Sequence, residues 1–183
     1  AAARNTALRN VAGTFVLPLD ADDLIAVEYM ESALDVFRRQ PDVKVVYCRA
    51  FLFGGGTCRP WPLPEYSYKR LIAINCIFCT CFFRKSDAVT AGGYDESFRG
   101  GYEDWEFLLR LLTPEDKVVR IDRELFFYRQ HSGDAGNVNS GALKNEDSLL
   151  ERIAEKHPEI YGAYEECIIR KLRLELNTCG TGR

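Results

Sequence analysis

Six largely apolar residues, 14–19, run straight into three carboxylates, Asp20, Asp22 and Asp23, with only Ala21 among them. A short apolar run bounded in this way reads as a buried strand, and the acids then stand at its carboxyl end. In open α/β sheets that is where ligands bind. Packing acids together is costly: two like charges ~4 Å apart repel by roughly 4 kcal/mol at an effective dielectric near 20. A hard divalent cation, magnesium or manganese, would relieve the repulsion and could bridge a diphosphate. A solvated turn in which Asp22 or Asp23 caps the following helix explains the same cluster. Taken alone, the cluster does not separate the two.

The rest of the chain alternates. Residues 1–12 are rich in helix formers, and Gly13 can close that helix. Residues 27–40 repeat Val27, Met30, Leu34 and Phe37 at helical spacing, up to Pro41. Residues 43–47 read as a strand. Gly54-Gly55-Gly56 could cradle a phosphate, but no Lys-Ser/Thr and no helix follow, so a hairpin turn is expected. Helices are expected over 66–74, 85–91 (closed by Gly92-Gly93) and 103–112, and strands over 77–83, 117–121 and 125–128. From about 143 onward the pattern is helical and charged, with Pro158 opening a second helix. Strands alternating with helices predict an α/β layer structure with a mainly parallel sheet.

With 183 residues the chain can bury one real core. A net charge of −3 gives none of the basic surplus of a nucleic-acid binder. No apolar run reaches the ~20 residues of a membrane span; the longest, 72–83, is broken by Asn75 and Thr80. The chain opens on Ala1-Ala2-Ala3-Arg4-Asn5, without Met, and reads as the inside of a helix, so a piece of something longer is expected. Seven cysteines without a signal-peptide pattern suggest reduced thiols in a cytoplasmic protein. Cys76 and Cys79 have zinc-ligand spacing, but no second pair or nearby His completes a site, and the apolar context of Cys76, Cys79 and Cys81 favours core packing.

A second acidic stretch runs from Gly92-Gly93-Tyr94-Asp95-Glu96 to Glu103-Asp104-Trp105. Carboxylates at a helix start are stabilised by the helix dipole, which would hold Asp104 ionised and able to accept a proton. Simple capping suits the same residues. Trp105 is either an exposed stacking platform or the first core residue of its helix. His131 follows the strand 125–128, and His157, in a charged helix without a visible partner, is expected at the surface.

Ala3-Arg4-Asn5, Ala12-Gly13 and Leu19-Asp20-Ala21-Asp22-Asp23, then Gly92-Gly93-Tyr94-Asp95-Glu96 with Glu103-Asp104-Trp105, then Tyr128-Arg129 with His131, resemble in order and separation the inverting family 2 glycosyltransferases of the GT-A fold. Each motif is weak alone, and their conjunction is strong. The resemblance implies a GT-A-like mixed, mainly parallel sheet flanked by helices, lacking its N-terminal portion. It would form a partial domain over residues 1–135 with a helical extension over 136–183. It implies an enzyme that moves a sugar from a nucleotide-diphosphate sugar, a UDP-sugar above all, to a hydroxyl with inversion. Asp22 would bind Mn2+ or Mg2+ on the donor diphosphate, with His131 completing the metal shell and Asp20 facing the ribose or that shell. Asp104 would be the base beside Glu103. Trp105, Tyr94 and Asp95 would line the acceptor or sugar pocket. Arg4 would border the nucleotide and Arg129 would contact phosphate. The acceptor could be a glycan, a lipid-linked group or a protein. The helical tail could pack on the domain, dimerise or touch the inner face of a membrane.

Two other classes compete. A non-catalytic interaction module could keep the same scaffold. A metal-dependent phosphatase or nuclease could use Asp20 and Asp22, although Leu24-Ile25-Ala26 follows where a phosphatase would want Ser or Thr.

Overall fold

A computed structural model describes residues 1–99, 101–131 and 146–162. The elements in chain order are α1 (Ala2–Asn10), β1 (Phe15–Val16), β2 (Leu24–Ile25), α2 (Glu28–Arg39), β3 (Val43–Gly54), β4 (Thr57–Trp61), α3 (Tyr68–Ala73), β5 (Phe82–Arg84), α4 (Lys85–Thr90), α5 (Glu103–Leu111), β6 (Lys117–Arg129), α6 (Glu146–Lys156) and α7 (Pro158–Tyr161). The rest of the expected helical extension, with Cys167 and Cys179, lies outside the described residues.

One mixed sheet carries the domain, in the order β1-β5-β3-β6-β2, with β4 also paired to β3. The mixed α/β class is as expected, but parallel pairing does not dominate. Among the described strands only β3 and β6 run parallel, over Val43↔Lys117 to Phe53↔Arg129; the other pairings are antiparallel. β1, β2 and β5 are short strands, and each pairs antiparallel with its neighbours in the sheet.

β6 is one strand where the sequence suggests two. Asp122, Arg123 and Glu124 are exposed and look like a turn, but a register shift opposite Cys48 and Arg49 absorbs them and the ladder continues. Conversely, the expected strand 77–83 shortens to β5. Residues 74–81 are irregular, yet Cys76, Ile77 and Cys81 are sealed in the core. Cysteine here packs as a small hydrophobe, and among the described residues all five thiols are free.

α2 lies against β3 and β6 with Tyr29, Ala33 and Phe37 on its buried face, four residues apart. The Tyr29 hydroxyl donates to the Thr80 carbonyl at 2.9 Å, which ties α2 to the irregular segment. Its first helical residue is Glu28, with Val27 at the N-cap, so neither Asp22 nor Asp23 caps it. α5 lies in the core on several faces. Phe107 stacks on Tyr94 at 4.4 Å and meets Phe83 edge-on at 5.2 Å, and the Trp105 indole donates to the Leu71 carbonyl at 2.6 Å. No helix among the described residues is long and apolar enough to cross a membrane.

Candidate active site

The short strand β1 delivers the chain to residues 20–23, and β2 takes it back into the sheet beside the far end of β6. The acids of this loop do not share one environment. Asp23 is buried. It accepts the Arg129 backbone N–H on Oδ1 at 2.8 Å, while Oδ2 has no hydrogen-bond partner among the described residues. Burial pushes its pKa up to about 6, against the pull of that hydrogen bond. Asp22 points outward. Its Oδ2 lies 2.8 Å from His131 Nε2, with the two side chains 50% and 40% exposed, and this bond holds the Asp22 carboxyl below its usual range. Asp20 accepts Arg4 on both oxygens, at 2.8 and 3.0 Å.

His131 is seated by the glycine turn joining β3 to β4. Gln130 donates its N–H to the Phe53 carbonyl at 2.6 Å. A Cβ on Gly54 would lie 2.8 Å from the Gln130 carbonyl oxygen, and one on Gly55 3.1 Å from the His131 carbonyl carbon. Both glycines have positive φ, so the expected hairpin turn also clears room for the site residue. Sequence reading missed this role, because the two segments are far apart in the chain. The Arg129 guanidinium stacks over Phe53 and donates to the Asp22 carbonyl at 2.7 Å, bracing the acidic loop.

The second acidic segment meets the first through Arg4. One Arg4 nitrogen donates to Glu103 Oε1 at 2.5 Å while the other holds Asp20. Asp104, next to Glu103 at the start of α5, accepts the Trp105 N–H at 2.8 Å and the Asn75 amide at 3.3 Å. The Cys79 thiol lies between the acids, 3.9 Å from Asp20 Oδ2, and its burial pushes its pKa up to about 12. Burial, then the Glu103 charge, raises Asp104 to about 6; Arg4 and the two hydrogen bonds pull the other way. Burial therefore works against the stabilisation expected at a helix start and moves the titration of Asp104 toward neutrality.

The side chains of three expected pocket residues are engaged in other contacts. Trp105 is 2% exposed and belongs to the core, as does Tyr94, packed on Phe107. A flanking Gly93 with positive φ lets the Tyr94 backbone be gripped by Asn5 instead. Asp95 faces away from the acidic loop, binding Lys156 of α6 and accepting from Ser97, and these contacts outweigh burial to depress its pKa. It borders a cavity of about 340 Å3, lined also by Glu106, Arg110 and His157, that shares no residue with the acidic loop. His157 is not at the surface: it is 4% exposed and bonds Glu106 at 3.2 Å.

Asp22 and His131 set a carboxylate oxygen and an imidazole nitrogen 2.8 Å apart, and the carboxylate suits a hard cation such as manganese or magnesium. Among the described residues no three His, Cys, Asp or Glu side chains gather into a closed metal site. Two protein ligands still fit a cation that takes its other positions from water and a ligand's phosphate oxygens, as magnesium commonly does.

Comparison with known proteins places this fold among relatives. The family model described as "Glycosyl transferase family 2" matches residues 1–88, and "Glycosyltransferase like family 2" matches residues 71–160. The uncharacterized protein y4gI of Sinorhizobium fredii is 26% identical over 141 residues, 75% of this chain and 15% of that protein. Crystal structures of S. aureus TarS 1–349 share the fold: the complex with UDP-GlcNAc superposes with a TM-score of 0.67 at 21% identity, covering 94% of this chain and 50% of that one. The UDP complex gives 0.64 at 20% identity, with 94% and 48% covered. The chain thus spans about half the length of these structures. Two family models that between them run from residue 1 to residue 160, over a GT-A sheet whose two acidic segments meet at Arg4, lead to one conclusion: this chain belongs to the family 2 glycosyltransferases.

Proposed function

We propose that the protein transfers a sugar from a nucleotide-diphosphate donor, a UDP-sugar, to a hydroxyl acceptor with inversion. The observation that carries this reading is the meeting, through Arg4, of the Asp20–Asp22 loop with the Glu103–Asp104 helix start. Inverting transfer needs a base on one face of the sugar and charge neutralisation on the other. Asp104 supplies the base: a carboxyl that titrates at about 6 is mostly ionised at neutral pH, yet still basic enough to take a hydroxyl proton. Asn75 and the Trp105 N–H aim it. Asp22 and His131 would hold the divalent ion, Mn2+ or Mg2+, which when bound neutralises the departing diphosphate. Arg129 and the buried Asp23 keep the loop carrying Asp22 against the end of β6. The TarS complexes with UDP and UDP-GlcNAc support a uridine nucleotide as the first donor to try. The acceptor is a glycan, a lipid-linked group or a protein hydroxyl.

Calorimetry of the full-length protein with UDP tests the donor side. Binding is expected with Mn2+, and it should weaken when the metal is chelated or when Asp22 is changed to Asn. No UDP binding in the presence of Mn2+ would sink the proposal. On the chemical side, Asp104→Asn should cut turnover by about 10²–10⁴-fold while leaving UDP affinity intact.

A further inference from the structure

Arg4 and Asn5 are consecutive on α1, and both side chains reach across the site to other elements. Arg4 spans Glu103 at 2.5 Å and Asp20 at 2.8 Å. Asn5 is buried; it accepts the Tyr94 N–H at 2.8 Å, donates to the Tyr94 carbonyl at 2.8 Å and reaches Glu96 Oε1 at 2.9 Å. One turn of α1 therefore grips both the acidic loop and the segment that leads into α5. The Asn5 contacts match a peptide's own donor and acceptor, which fixes the height of α1 on that segment and brings Arg4 between the two acids.

We propose that Arg4 is a positioning residue: its guanidinium holds the Asp20 loop and the start of α5 in register, and it is the positive charge that keeps Asp104 ionised beside Glu103. The proposal deepens the reading of Asp104 as the base and rests on it for its catalytic meaning. The groups around Asp104 can be named from each element. Glu103 on α5 pushes its pKa up, together with burial; Arg4 on α1 pulls it down. Asp20 lies on the far side of Arg4, and Asn75 and the Trp105 N–H are neutral donors. The Cys79 thiol, raised to about 12, is uncharged near neutral pH and brings no counter-charge of its own. Among the described residues named here Arg4 is the cation, and its bond to Glu103 sets it against the carboxylate that opposes ionisation of Asp104. An arginine suits the task because its planar fork can serve two carboxylates at once.

The test needs no substrate. Aspartate carboxyls labelled with carbon-13 are followed by NMR over the range in which carboxylates and histidines titrate, and the signal lost in Asp104→Asn is assigned to Asp104. Arg4→Met is expected to raise the Asp104 midpoint by about one pH unit. Arg4→Lys, which keeps the charge, should return it toward the wild-type value. A midpoint that does not move in Arg4→Met overturns the proposal. Should that variant fail to fold, Arg4→Gln serves in its place: it keeps hydrogen-bond donors without the charge, and the midpoint should rise. A midpoint that stays or falls overturns the proposal equally. In the full-length protein, UDP release from UDP-GlcNAc with Mn2+ supplies a second readout. The acidic limb of kcat should move with the NMR midpoint in Arg4→Met while KM for the donor changes little. A raised donor KM with the limb in place makes Arg4 a donor ligand and refutes the positioning role. Retained turnover in Asp104→Asn removes the base reading alone, and the NMR outcome stands apart from it.

Discussion

Two carboxylates on the first turn of α5 are held in opposite ways. Asp104 faces the acidic loop, with an amide and a backbone N–H as its hydrogen-bond donors, and its pKa is raised to about 6. Glu106, two residues on, is 1% exposed, but Arg110 binds both its oxygens at 2.6 Å and His157 approaches at 3.2 Å. Burial alone would raise the Glu106 carboxyl too; these partners outweigh it and hold the pKa below the ordinary value. The contrast teaches that burial does not decide ionisation. A bonded arginine makes a buried acid part of the scaffold, and an acid held only by neutral donors keeps its raised pKa.

The largest effect should come from dismantling the scaffold side. Glu106→Ala leaves Arg110 and His157 without their carboxylate and is expected to cost about 3–5 kcal/mol of unfolding free energy in urea titrations. The pH dependence of its contribution has a definite sign. A carboxyl lowered in the folded state stabilises fully above its ordinary pKa of 4.5, and that stability is lost as pH falls through the lower folded value. The wild type should therefore lose an acid-labile part of its stability that Glu106→Ala lacks. Identical acid profiles would break the contrast with Asp104.

A smaller loss is expected at the joint between the two regions. Gly93 has a φ of 70°, and a Cβ there would come within 2.7 Å of Asn5 Oδ1. Gly93→Ala should cost about 1–3 kcal/mol from strain and a displaced hydrogen bond, read as a lower denaturation midpoint. Asp104→Asn should act in the other direction. An acid raised in the folded state penalises folding as pH rises from the ordinary 3.8 to about 6, and the penalty is complete above that. The variant should therefore gain on the order of 1 kcal/mol at pH 7.5 and nothing below pH 3.8. A destabilised Asp104→Asn at neutral pH would place Asp104 in the scaffold with Glu106. The smallest effect belongs to exposed pairs: Arg39→Ala, which breaks the surface contact with Asp35 at 2.9 Å, should change stability by less than about 0.5 kcal/mol.

Much of the site was legible because it is built from local patterns. The acids after β1, the acidic start of α5 and the late histidine each stand out in the chain, and the glycine run announced its hairpin. What stayed hidden was pairing across long separations. The carboxylate that meets His157 in the core, Glu106, lies 51 positions away, and Arg4 reaches Glu103 over 99. Trp105 begins a helix that buries more than one face, so a stripe pattern could not choose between core and platform. The apolar segment around Cys76 and Cys81 reads as a strand, since burial without periodicity looks alike in strand and irregular chain. The balance of parallel and antiparallel pairing depends on how short strands turn back, which composition does not record.

The long parallel ladder between β3 and β6 has a consequence in time. It joins residues 43–53 to residues 117–129 and ends beside His131. Contacts between segments so distant in the chain form slowly, because the intervening chain must be closed into a loop before any pairing rewards it. The glycine turn at 54–56 and the first acidic loop can take shape early, but His131 reaches Asp22 only once that ladder has zipped. In a refolding experiment the contact between His131 and Asp22 should therefore form with the slowest phase, after most helical signal has recovered.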